Sequence, residues 1–292
     1  GFPQGIEVLV NLENLYLDDT QMDEGSIPIE LWQLSKLHTL SISRQGFLDL
    51  TGISNAQSLR VLNLSSSDLV QPIFPEISQL SNLEELNLTY TNLQTLPPEI
   101  LTLTTLKALH VGSNSLTELP SELGNLSNLQ TLDLSRNQLV ALPPEIGNLS
   151  NLQHLNVDAY FRGTLLSTLP VEFGNLTSLK TLSLAYQGLT SLPAEFANLT
   201  NLETLNLYGN SLTVISTWFG SLVNLRELNL SGNSLTSLPS ELGNLTNLET
   251  LNLSANYSLT AIPAWFGSFV KLRELDVSYN NLSSVSPSIV GL

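Results

Sequence analysis

Cysteine is missing from this chain altogether. Its absence removes a disulfide framework, a thiolate nucleophile and any cysteine-based zinc site from consideration. It does not fix a compartment, because a long apolar core needs no staples. Basic residues are scarce: 10 Lys and Arg stand against 26 Asp and Glu, a formal net charge of −16. A field of that sign repels nucleic-acid phosphates and anionic membranes, so neither is expected as a partner. Only His38, His110 and His154 could serve a histidine-dependent triad or metal centre. No apolar run reaches the ~20 residues of a membrane-spanning helix, and no signal-peptide pattern opens the chain. No phosphate-binding or dinucleotide glycine motif and no H-E-x-x-H is present, so no cofactor and no catalysis are expected. The 292 residues run from Gly1 to Leu292, inside an unfinished repeat, and read as one domain excised or processed from a longer protein.

What the chain has is leucine at fixed intervals. The frame L-x-x-L-x-L-x-x-N recurs twelve times, with first leucines at 12, 37, 59, 83, 106, 129, 152, 179, 202, 225, 248 and 272. The dominant spacing is 23 residues, with single excursions to 25, 22 and 27 and two of 24. A period of this length marks a stack of coils, each unable to enclose its own apolar groups. In Leu106-Lys107-Ala108-Leu109-His110-Val111, alternation turns Leu109 and Val111 inward and His110 outward, which predicts a short strand with one buried side. Strands from successive repeats then pair in parallel, about 4.8 Å apart, as a curved sheet. The ninth frame position is Asn114, Asn137, Asn210, Asn233, Asn256 and Asn280 in half of the repeats, where a buried amide can satisfy backbone groups of neighbouring coils. Thr20, Gln45, Ser67, Thr91 and Gln187 fill it elsewhere, and Tyr160 in the seventh repeat. The other half of each repeat reads L-P-x-E-I/L/F-G-N-L, as in Leu119 to Leu126. Pro followed by Glu suits the start of a short helix, and Gly-Asn its end, so α or 3₁₀ segments of about one turn are expected there.

These motifs resemble the leucine-rich-repeat family over nearly the whole chain. The L-P-x-E-I-G-N-L half is similar to the subgroup of bacterial and intracellular Ras-associated repeat proteins, and less so to the plant receptor type. The resemblance implies an α/β solenoid of about twelve repeats, with a parallel sheet on the concave face and α or 3₁₀ segments on the convex face. It also implies that ligands, usually proteins, bind through the concave sheet. Glycan and peptide partners stay open. So do two other roles: a scaffold regulating a signalling GTPase, and the recognition arm of an enzyme or effector whose catalytic part lies elsewhere. Four lysines and 12% charged residues, with much Ser, Thr and Asn, tilt the reading towards a secreted or cell-surface protein over a cytoplasmic one.

Positions two, three, five, seven and eight of the frame are expected to line the concave face. Seven of the ten basic residues and five of the seven tyrosines fall there. Tyr and Arg are enriched in protein interfaces. The central repeats mix donors, acceptors and charge, and the expected contact set is Tyr90, His110, Asp133, Arg136, His154, Asp158, Lys180, Tyr186 and Tyr208. Phe161 and Arg162 join it, because the 27-residue seventh repeat places its extra residues there and insertions in repeat arrays map to loops. At position two, Lys180, Glu203, Arg226, Glu249 and Arg273 alternate in sign, which also reads as a self-compensating ladder. The convex side carries Glu76, Glu99, Glu122, Glu145, Glu172, Glu195 and Glu241 in one column. Trp218 and Trp265 interrupt it as a secondary contact candidate or as packing against the next coil. Both belong to a repeated Trp-Phe-Gly-Ser segment. His110 and His154 stand two repeats apart, roughly 10 Å, too far to share a metal readily. Asp18, Asp19, Asp23 and Glu24 lack the spacing of a helix–loop–helix calcium site and read as a solvated loop. The eleven Asn-x-Ser/Thr sequons follow mostly from the N-L-S/T repeat and carry little weight.

Overall fold

The leucine at the fourth frame position anchors each strand of the structure. In this computed structural model, which describes residues 5–20, 27–69, 73–159 and 166–285, that position is buried from Leu40 to Leu251, no more than 2% exposed in any repeat. Flanking residues alternate outward, so each strand is three residues long, as in Ala108–His110 and Thr204–Asn206. Burying one leucine side chain is worth about 1.5–3 kcal/mol. With several in every coil, the stacking of coils supplies most of the driving force.

The chain packs as two compact units, residues 1–137 and 138–292. In the first, the strands Asn14–Tyr16, Thr39–Ser41, Val61–Asn63, Glu85–Asn87, Ala108–His110 and Thr131–Asp133 pair in sequence order, all parallel. In the second, His154–Asn156, Thr181–Ser183, Thr204–Asn206, Glu227–Asn229, Thr250–Asn252 and Glu274–Asp276 do the same. Like frame positions face like throughout, so a column read from the sequence is a column in space within each unit. The return path of most coils is a 3₁₀ segment of three to five residues, such as Pro144–Asn148, and Phe74–Ile77 is the single α-helical turn among the described residues. Aromatic rings thicken this side in the second unit, where Phe173 and Phe196 stack with centroids 5.2 Å apart.

The ninth position builds the expected ladder. Asn233 Nδ2 donates to Leu207 O at 3.0 Å and Leu230 O at 2.9 Å, and its Oδ1 accepts from Leu212 N at 3.0 Å. Asn114, Asn137, Asn210 and Asn256 repeat the pattern. Gln45 and Gln187 reach the same carbonyls: Gln45 Nε2 donates to Leu17 O, and Gln187 Nε2 to Val157 O. The extra methylene lets glutamine span the same gap. Tyr160 lies outside the described residues, as do Asp23 and Glu24.

Two features were not expected. The eighth frame position is left-handed in eleven of the twelve repeats: Asp19, Arg44, Ser66, Tyr90, Ser113, Arg136, Tyr186, Ala255 and Tyr279 have φ of 54–60°, and Gly209 and Gly232 take the same place. This residue turns the chain out of its strand, and an L-residue bears about 1–2 kcal/mol of strain in doing so. The fifth position, expected to be open, is half occupied by the fold. Asn63, Asn87, Asn156, Asn206 and Asn229 each accept the backbone N–H two residues on. The seventh is not uniformly open either, since Ser43 and Ser231 are buried.

Candidate functional site

In the first unit, Tyr90 and Arg136 both stand in the left-handed column, which fixes where their side chains leave the backbone. Both are exposed. His110 and Asp133 lie opposite one another on adjacent strands, as the shared column requires. The histidine Nε2 lies 3.9 Å from Glu85 Oε1, and Asp133 Oδ1 accepts the Ser135 N–H at 3.0 Å. At position two, Glu84 sits between Arg60 at 3.6 Å and Lys107 at 2.8 Å. The Lys107 hydrogen bond holds the Glu84 carboxyl below the usual range, against the effect of burial and with help from the Lys107 and Arg60 charges.

In the second unit, His154 is exposed and its Nδ1 lies 2.8 Å from Thr181 Oγ1. Lys180 is exposed just ahead of the neighbouring strand. Asp158 Oδ1 accepts from Ser183 Oγ at 2.6 Å and from Ala185 N at 2.7 Å. Asp18 in the first repeat does the same with Ser41 and Ser43. Burial pushes the Asp18 carboxyl up, but the hydrogen bonds from Ser41 and Ser43 and the Arg44 charge together hold it below its ordinary value.

Tyr186 and Tyr208 meet edge to face, with centroids 4.7 Å apart. Glycine makes this possible. A Cβ at Gly209 would stand 2.6 Å from Tyr186 Cδ1, and one at Gly232 would stand 3.0 Å from Tyr208 Cε2, so each ring lies on the backbone of the following coil. Tyr208 remains 36% exposed, and Tyr186 is half-buried.

Trp218 and Trp265 are half-buried rather than fully open. Trp218 stacks on Phe219 at 4.4 Å and leans on Phe196 of the preceding coil at 6.0 Å, and Trp265 covers Gly243. Phe161 and Arg162 lie outside the described residues. No group of three or more His, Asp or Glu able to hold a metal occurs among the described residues.

One further surface joins the expected position-two column to residues outside the frame. A groove of about 680 Å³ in the second unit is lined by position-two residues, Lys180 and Glu203 among them, and by Asn201, Asn224 and Asn247, each just ahead of a first frame leucine. The recurring Asn-Leu pair was the signal in the sequence.

Comparison with known proteins agrees with this geometry. A family described as "Leucine-rich repeat region" matches residues 100–208, "Leucine Rich repeats (2 copies)" matches 223–267, and the single "Leucine Rich Repeat" matches 82–103, 201–222 and 271–292. The chain is similar to a leucine-rich-repeat protein of Leptospira interrogans at 32% identity and a TM-score of 0.68, over 99% of this chain and 83% of that one. It shares its fold with an internalin from Listeria monocytogenes at a TM-score of 0.81 and 24% identity, covering 99% and 80% of the two chains. It is also 36% identical over 97 residues to the "Receptor-like protein EIX1" of Solanum lycopersicum, a stretch that is 32% of this chain and only 9% of that protein.

Proposed function

Since this chain belongs to the leucine-rich-repeat family, we propose that it is a non-catalytic recognition module binding a macromolecular partner, in the first place a protein, through the polar face of its strands. One observation carries the reading. The Tyr186–Tyr208 pair is laid on glycine backbone, so two amphipathic rings are held in place before any partner arrives. Rigid aromatics give contact area at small entropic cost, which is why such residues dominate binding energy at interfaces. Each unit contributes its own patch. Tyr90, His110, Asp133 and Arg136 form one. His154, Asp158, Lys180, Tyr186 and Tyr208 form the other, with Phe161 and Arg162 assigned to it on sequence grounds. Trp218 and Trp265 form a weaker second contact, since part of each indole is spent on packing.

The L-P-x-E-I-G-N-L half groups the chain with the bacterial and Ras-associated type of repeat, and the likeness to the Leptospira protein supports the bacterial side of that grouping. The test is capture of the partner by the wild-type chain and by a variant carrying Arg136→Ala, Tyr186→Ala and Tyr208→Ala, with both shown folded by circular dichroism. At least a tenfold loss of affinity, about 1.4 kcal/mol, is expected from removing such anchors. Undiminished capture refutes the placement.

A further inference from the structure

The groove of the second unit presents two parallel columns of polar groups. Along position two run Lys180, Glu203, Arg226 and Glu249. Charge changes sign at every repeat, so like charges recur at every second repeat. With strands about 4.8 Å apart, that interval is about 9.6 Å. An extended β-strand turns a side chain the same way every ~6.8 Å, and an α-helix advances about 5.4 Å per turn. A polyproline II helix has three residues per turn and rises about 3.1 Å per residue, a pitch of ~9.3 Å. Of the three regular backbones, only this last keeps step with the columns, slipping by about 0.3 Å per turn.

The second column supplies groups for a backbone. Nδ2 of Asn201, Asn224 and Asn247 donates at 2.8 Å to Thr177 O, Thr200 O and Val223 O of the preceding coils. Each side chain is thereby held in one orientation with a second N–H to spare. At Asn247 the amide oxygen already accepts a donor from the groove side, Lys271 Nζ at 2.8 Å. A polyproline II segment makes no hydrogen bonds of its own, so its carbonyls and remaining N–H groups are available to such a row. The Arg226–Glu249 pair, 2.8 Å apart, is no obstacle. The Arg226 side chain is 59% exposed and that of Glu249 28%, and exposed pairs contribute about 0–1 kcal/mol, so the arginine in particular can change partner at little cost.

We propose that this groove binds an extended, proline-containing segment of a partner in the polyproline II conformation, its charged side chains recurring every third residue. Acidic side chains meet Lys180 and Arg226, basic ones meet Glu203 and Glu249, and the backbone bonds the asparagine column. The inference rests on the recognition reading above and specifies a class of partner for the second unit.

The probe is a fluorescein-labelled dodecapeptide made of four tandem Glu-Lys-Pro triplets. Its control is a block peptide of the same composition, in which all the glutamates come first, then all the lysines, then all the prolines. Anisotropy titrations of the full chain are expected to show the periodic peptide binding roughly tenfold more tightly. The Lys180→Gln, Arg226→Gln variant should lose that preference with an unchanged melting temperature. Glu145→Gln, on the 3₁₀ side, should keep it. Equal affinities for the two peptides, no binding up to about millimolar peptide, or an undiminished preference in the double variant overturns the proposal. The two readings fail separately. Peptide failure alongside tyrosine-dependent partner capture removes only this inference, and capture indifferent to the tyrosines removes only the sheet-face assignment.

Discussion

Asn233 shows how much a single side chain can hold. Truncation to alanine strands Leu207 O, Leu230 O and Leu212 N inside the coil. A buried polar group without its partner costs about 1–3 kcal/mol. Asn233→Ala should therefore lower stability by about 2–4 kcal/mol in urea denaturation, after allowing for relaxation of the coil. Asn233→Thr should cost less, because Thr91 at the same frame position reaches Leu88 O at 2.7 Å. The left-handed column predicts the opposite sign. Ser113, at φ 54°, has a conformation glycine adopts freely. Ser113→Gly should stabilise by roughly 0.5–1 kcal/mol, the relief of strain less the extra entropy of the unfolded chain. A lower urea midpoint would contradict it. Gly209 and Gly232 were the only hints of this column in the sequence. Asp, Arg, Ser, Tyr and Ala fill it elsewhere, and composition does not report φ.

At the scale of the element, the 3₁₀ segments leave little room for a side chain at their glycines. A Cβ at Gly174 would stand 2.6 Å from Glu195 O, and one at Gly147 would stand 2.5 Å from Glu172 O. The eighth repeat nevertheless carries Ala197 at the equivalent place, so a small adjustment is tolerated there. Gly174→Val exceeds it and should cost about 1–3 kcal/mol by overpacking, read as a drop in melting temperature. Gly174→Ala should cost clearly less. The strands were legible from the leucine frame, because period-two alternation and burial are the same fact seen twice. The asparagine ladder and the alternating charges at position two were legible for a similar reason: register is one to one, so a column in the sequence becomes a column in space. What alternation cannot report is a side chain that points outward and then folds back. Asn63 and Asn87 do so at position five, and Asn201 and Asn224 do so ahead of the frame. Tyr186 and Tyr208 were legible as contact candidates, but their seating on Gly209 and Gly232 was not, since it depends on the left-handed turn.

At the scale of the whole molecule, electrostatics works in two directions. The net charge of −16 repels itself in the folded chain, so at pH 7 added salt should raise the melting temperature. Four carboxyls pull the other way. The Thr51 hydrogen bonds at Asp49, the Ser278 hydrogen bonds at Asp276, the Lys107 hydrogen bond at Glu84 and the network around Asp18 all hold a folded value below the unfolded one. Such groups contribute stability that is complete above the unfolded values, near 4, and lost as pH falls through the folded ones. Acid titration should therefore destabilise the fold below about pH 4, even as the net charge shrinks. Asp18→Asn should flatten that acid limb, and an unchanged limb would sink the assignment.

Uniform register also makes each period a cassette. Leu202 and Leu225 hold the same frame place 23 residues apart, so excising residues 202–224 leaves the phase of the array intact. Every ladder amide would still find a carbonyl, and the shortened chain should fold. The splice would nevertheless set Lys180 beside Arg226 and Tyr186 over Gly232, abolishing the alternation of sign and the ring pair together. Foldability and specificity are thus separately editable, and homologous recombination between repeats can rewrite what the surface reads without reinventing how it is built.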